Sequence, residues 1–143
     1  MYLIFLLPLI SFAANTRDTY RTCFNASNKL ESPADRDAEK IHCFNSLPRR
    51  PMNLCLNLAG VLEHTSTSDA LILDCISTNI LKMKIETFLE TTKSLHYAES
   101  KDKAIWTYLE HHAVQSSQCK RITDKMVYPH NRNVALNYCL LRN

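Results

Sequence analysis

The chain has 143 residues, a single glycine (Gly60), and 17 basic against 14 acidic residues for a net charge of +3. One glycine excludes the motifs that bring backbone close to a phosphate or hold it at positive φ: a Walker loop, a dinucleotide fingerprint, an EF-hand loop and a Gly-x-Ser-x-Gly elbow. It also argues against a β-sandwich with many tight turns, and the interspersed charges leave no footprint for nucleic acid, so the predicted class is all-α.

In chain order, the opening segment is almost wholly apolar through Phe12, has no charge before Arg17, and closes on Ser11-Phe12-Ala13. That ending fits the small-x-small pattern of a signal-peptidase site, although a basic leading region is missing, and the segment is too short to span a bilayer. The expectation is a signal peptide over 1–13 and a secreted, extracellular all-α domain over 14–143, with no later segment of membrane-spanning length.

A first helix is predicted from about Asp18, with Tyr20, Cys23, Phe24, Ser27 and Leu30 on one face. Ser32 as N-cap and Pro33 at the first helical position open a second, whose inner face is Ala34, Ala38, Ile41 and Phe44 and which Pro48 stops. Pro51 opens a third to about Glu63, dense in leucine and therefore expected to be the core helix. Ser68-Asp69 caps a fourth, predicted to run unbroken from about Ala70 to Thr92 because neither glycine nor proline interrupts it. A fifth is predicted from about Ser100 to Val114, a sixth from about Ser117 to Val127, and a last from Asn131 to the end of the chain.

Six cysteines in a secreted chain of this size, with no zinc-type spacing, read as three disulfides. Cys23 and Cys43, Cys55 and Cys75, and Cys119 and Cys139 are each 20 apart, and the midpoints Pro33, Thr65 and Pro129 fall on helix-breaking or capping clusters. Two cysteines equidistant from a turn face each other across a helical hairpin, which favours those three pairs. A short staple from Cys43 to Cys55, across Pro48-Arg49-Arg50-Pro51, is the competing scheme.

Superposed, the three intervals align Leu30, Leu62 and Met126, then Asp37, Asp69 and Asn133, then Ala38, Ala70 and Val134, at offsets of 32 and 64. A further unit starting at Thr87 would place Thr87 and Thr107 where cysteines are expected. Two explanations stand open: a degenerate 32-residue internal repeat, or convergence of similar hairpins on similar patterns. The predicted architecture is one compact domain of disulfide-stapled helical hairpins, with about six to eight helices.

Chemistry is sparse. His111 and His112 are adjacent on a helix and point about 100° apart, so they do not share a metal face. They read, with His42, His64, His96 and His130, as solvated side chains. No His-Asp dipeptide or glycine-bearing calcium loop is present for a phospholipase, and the carboxylate pairs Asp35/Asp37 and Glu86/Glu90 have the spacing of solvated helix faces. No enzyme, metal or cofactor is expected. Asn25-Ala26-Ser27 is the only N-glycosylation sequon, so Asn25 is the candidate glycan site of a glycoprotein. Arg49-Arg50 reads as an exposed loop rather than a processing site, because Pro51 follows directly. Two functions remain: extracellular binding of a protein partner through a surface, which is preferred, or carriage of a small hydrophobic ligand in a helical cavity. An exposed apolar patch would favour the first and a closed void the second.

Overall fold

A computed structural model describes the backbone of residues 11–142 and the side chains of 17–142. Among the described residues the fold is entirely helical, and the first ten positions of the expected signal peptide lie outside them. The chain divides between Arg49 and Arg50 into two compact units.

The first unit holds α1 (Ser11–Ser27) and α2 (Pro33–Asn45), with the Cys23–Cys43 disulfide between them. α1 begins earlier than the predicted Asp18. Its end is fixed by the buried Ser27, whose hydroxyl donates to the Phe24 carbonyl at 2.6 Å and so removes one of the terminal carbonyls a helix leaves unsatisfied. Ser32 caps α2 by accepting the Asp35 N–H at 3.4 Å, and Pro33 occupies the first turn, where its missing N–H costs nothing. The Arg36 guanidinium crosses the turn to the carbonyls of Leu30 and Glu31, both at 2.7 Å.

The second unit holds α3 (Met52–Ala59), α4 (Thr65–Asn79), a 3-10 turn (Ile80–Lys82), α5 (Ile85–Thr92), α6 (Ala98–His111), α7 (Ser116–Thr123) and α8 (Pro129–Leu141). These form three helix pairs, α3 with α4, α5 with α6, and α7 with α8. Cys55–Cys75 and Cys119–Cys139 staple the first and last, with Cα atoms 6.4 and 5.7 Å apart. The three bonded pairs are those equidistant from the turns, and none joins one helix pair to another.

Two sequence expectations are corrected. The predicted helix over 70–92 is broken: Asn79 turns its amide onto the Cys75 carbonyl at 2.9 Å and the Arg50 carbonyl at 3.2 Å, and the His112 ring nitrogen Nε2 bonds the Ile80 carbonyl at 2.7 Å. Carbonyls that would continue the helix are thus taken by side chains, while Ile80 and Met83 are buried as the chain turns back. Tertiary contacts override a segment that lacks any local breaker. The third helix is also shorter than predicted, ending at Ala59 with Gly60 as its C-cap, and only Cys55, Leu58 and Ala59 within it are fully buried. The core of this unit instead gathers on α4 and α6 and the short helices over them, through Ile72, Ile76, Phe88, Ile105, Leu109 and Ile122.

Candidate binding surface

The second unit is ordered by two buried aspartates, each at the fifth position of its helix. Asp69, on α4, accepts the N–H of His96 at 2.8 Å and of Tyr97 at 2.9 Å, and its Oδ1 also bonds the His96 ring nitrogen Nδ1 at 2.9 Å. Asp102, on α6, accepts the N–H of Val127 at 2.7 Å and of Tyr128 at 3.3 Å, and the Asn131 amide at 3.0 Å. The two side chains do the same work one helix pair apart, each fixing the residues that precede the next long helix. Tyr97 and Tyr128 are the N-cap residues of α6 and α8, and neither makes a side-chain cap of its own. A carboxylate reaching from the helix two places earlier stands in for the missing local cap.

Burial alone would raise the pKa of Asp69, but the N–H groups of His96 and Tyr97, the His96 ring and the Ser100 hydroxyl together hold it below the usual carboxylate range. A carboxylate in that state accepts, so Nδ1 of His96 carries the proton in this contact. At the opposite ends of the same helices the stitching comes from side-chain nitrogen donors. His112 reaches the Ile80 carbonyl, and Arg142 reaches the Leu109 carbonyl at 2.6 Å and lies 5.3 Å from the centroid of the Tyr138 ring. Trp106 and Tyr138 meet edge-on at 5.4 Å, joining α6 to α8.

The bound Asp pairs leave two tyrosine rings displayed. Tyr97 is 48% and Tyr128 42% exposed, and both line one groove of about 500 Å³ with Ser66, Asp69, Leu73 and Glu99. The Tyr97 hydroxyl lies 2.8 Å from the Thr65 hydroxyl, so this ring is held at its backbone and at its tip. A second depression of about 280 Å³ has Leu56, Leu62, Ile72, Ser94 and His96 in its wall. A third, of about 470 Å³, lies between α5 and α7, where Arg121 pairs with Glu86 at 3.4 Å and Lys120 with Asp124 at 2.7 Å. Glu90 and Lys93 add an ion pair to the same wall.

The residues singled out from the sequence are dispersed. Asn25 is exposed on α1, whereas Ser27 of its sequon is buried. Of the histidines, His96 belongs to the Asp69 cluster, His112 bonds Ile80, and His111 Nδ1 bonds the Thr107 carbonyl at 2.8 Å. Among the described residues the one group of three side chains within metal-holding distance is Cys23, Glu39 and Cys43, and its two sulfurs are joined as a disulfide rather than free as thiolates.

Thr87 and Thr107, expected to face each other in place of cysteines, do not. Thr87 is exposed and Thr107 donates to the Lys103 carbonyl at 3.0 Å. The facing pair is Phe88 and Tyr108, one residue later on each helix, stacked with centroids 4.2 Å apart and both buried. The turn between α4 and α5 takes up one extra residue, which moves the whole pair. Tyr108 in turn stacks on His112 at 4.2 Å, and burial, with the charge of Glu86, pushes its phenol above the usual value.

Sequence reading missed Tyr97, Glu99 and Tyr128. The available signal was a tyrosine directly before each helix start, at a position where serine or aspartate is the common choice. Among the described residues no helix is long and apolar enough to cross a membrane, and three disulfides fit an extracellular protein. No protein-family model, curated protein or solved structure matches this chain.

Proposed function

We propose that the chain is a secreted, non-enzymatic binding protein built from four degenerate helix-pair units, and that it engages an extracellular protein partner through the groove between Tyr97 and Tyr128. The observation that carries this reading is the repeated presentation of an exposed tyrosine by a buried aspartate: Asp69 under Tyr97 and Asp102 under Tyr128. Tyrosine combines a large apolar face with a polar tip and few rotatable bonds, so a ring fixed in advance binds at low entropic cost.

The unit reading rests on spacing. The residues before α2, α4, α6 and α8 are Ser32, His64, Tyr97 and Tyr128, in steps of 32, 33 and 31. The same steps relate Asp37, Asp69, Asp102 and Asn133, and likewise Cys43, Cys75, Tyr108 and Cys139. A leader over 1–13 would carry the chain to the compartment where its disulfides form.

The experiment is photo-crosslinking with a benzophenone amino acid in place of Tyr97, and separately in place of Lys93 in the α5–α7 depression, using medium in which the protein is secreted. A discrete protein adduct at 97, competed away by unmodified chain and missing at 93, is the expected result. Equal labelling at both positions would remove the reason for choosing this groove. Loss of a few hundred daltons on denaturing after native mass spectrometry would instead favour the carrier of a small hydrophobic ligand.

A further inference from the structure

The groove between the tyrosines has a charge character that narrows what it can hold. Its two charged liners are both carboxylates, Asp69 and Glu99, and no lysine, arginine or histidine is among the described residues that line it. Asp69 is only 2% exposed and already accepts from His96 and Tyr97. Glu99 is exposed, and its carboxylate is the one at the groove wall left to meet an incoming charge. The rest of the wall is Tyr97, Tyr128, Leu73 and small side chains.

Aromatic faces carry negative charge density and attract cations, and do so more strongly where water is partly excluded. Two tyrosines and a carboxylate around one depression therefore form an environment that an anion would avoid and a neutral chain would use incompletely. The α5–α7 depression is the contrast: its three acidic residues, Glu86, Glu90 and Asp124, are matched by Lys93, Arg121 and Lys125. That wall is already neutralised by its own residues, whereas the tyrosine groove is not.

We infer that the tyrosine groove is a cation site that takes an arginine side chain of the protein partner, with the guanidinium between the Tyr97 and Tyr128 rings and against the Glu99 carboxylate. This inference rests on the binding reading above and supplies the chemistry of the partner residue. Arginine suits the site better than lysine because its planar head stacks on rings and is less strongly hydrated. The ring of Tyr97 needs little reordering, since Thr65 holds its hydroxyl and Asp69 its N–H.

The test uses the full oxidised chain and amide-resolved NMR titration with the capped tripeptide acetyl-Gly-Arg-Gly-amide, its citrulline isostere, and tetramethylammonium chloride. The arginine peptide is expected to give saturable shifts at Tyr97, Ala98, Glu99 and Tyr128, and the uncharged citrulline peptide to bind at least about tenfold more weakly. Tyr97→Ala and Tyr128→Ala should each weaken the arginine peptide about fivefold, and Glu99→Gln about threefold with a reduced dependence on salt. Tyr97→Phe keeps the ring and should retain most of the binding, so it and Glu99→Gln decide the matter if an alanine variant fails to fold. Equal binding of arginine and citrulline, or shifts centred away from the groove, would overturn the assignment. Tetramethylammonium binding as tightly as the peptide would also overturn it, in favour of a small free quaternary ammonium ligand. A partner that crosslinks at 97 while the arginine peptide leaves the groove unshifted would sink this inference alone and leave the binding reading standing.

Discussion

Asp69 ties together distant parts of the second unit, because three donors from two successive residues end on one buried carboxylate. Asp69→Ala leaves two backbone N–H groups without their acceptor and is expected to cost on the order of 3 kcal/mol in urea unfolding. The pH dependence has a definite sign. The native pKa lies below the unfolded value, so the stabilisation is complete above the ordinary carboxylate range and is lost as pH falls through the lowered native value. Unfolding curves of wild type and Asp69→Asn should therefore differ most above about pH 5 and draw together toward about pH 2. A constant difference across that range would show that the charge of Asp69 is not what matters. From sequence, Ser68-Asp69 reads as a local cap for its own helix. In the structure the carboxylate serves residues 27 and 28 positions onward, a link that propensity and periodicity do not encode.

At the scale of elements, three helix pairs are closed by disulfides and α5–α6 by the Phe88–Tyr108 stack, with the partners in all four cases 20 residues apart. A ring pair can occupy the place of a disulfide because both bring large, polarisable, water-excluding groups to the same point between helices. Phe88→Ala is expected to cost about 4 kcal/mol, the range for removing a buried aromatic ring. Phe88→Cys with Tyr108→Cys should form a fourth bridge, read as a further loss of about 2 Da in intact mass, and make the oxidised variant about 3 kcal/mol more stable than its reduced form. Replacing Cys119 and Cys139 together by alanine is expected to cost a similar amount, about 3 kcal/mol, and to raise hydrogen exchange in α7 and α8. Peptide mapping should still find Cys23–Cys43 and Cys55–Cys75 bonded. The stapled pairs were legible because cysteine spacing and turn chemistry agree on the same midpoints. The unstapled pair was misplaced by one residue, since the length of the turn after Asn79 is set by Asn79, Ile80 and His112 contacts rather than by a glycine or proline.

For the whole molecule, class and connectivity were legible from the single glycine and six evenly spaced cysteines, whereas the candidate surface was not. Tyr97 and Tyr128 lie 31 positions apart in sequence, and they meet at one groove through their aspartate anchors and the packing of α6 on α8 at Trp106 and Tyr138. The intact oxidised chain should be about 6 Da lighter than the reduced chain, as three bridges require. Because each bridge closes within one helix pair, the cysteines bond in the order in which they are synthesised: first with second, third with fourth, fifth with sixth. A chain oxidised while it is being made thus reaches the full set of bonds by joining each odd-numbered cysteine to the next one made. No bond has to wait for a partner more than 20 residues away, and the mispairings between neighbours in the sequence are two, Cys43 with Cys55 and Cys75 with Cys119.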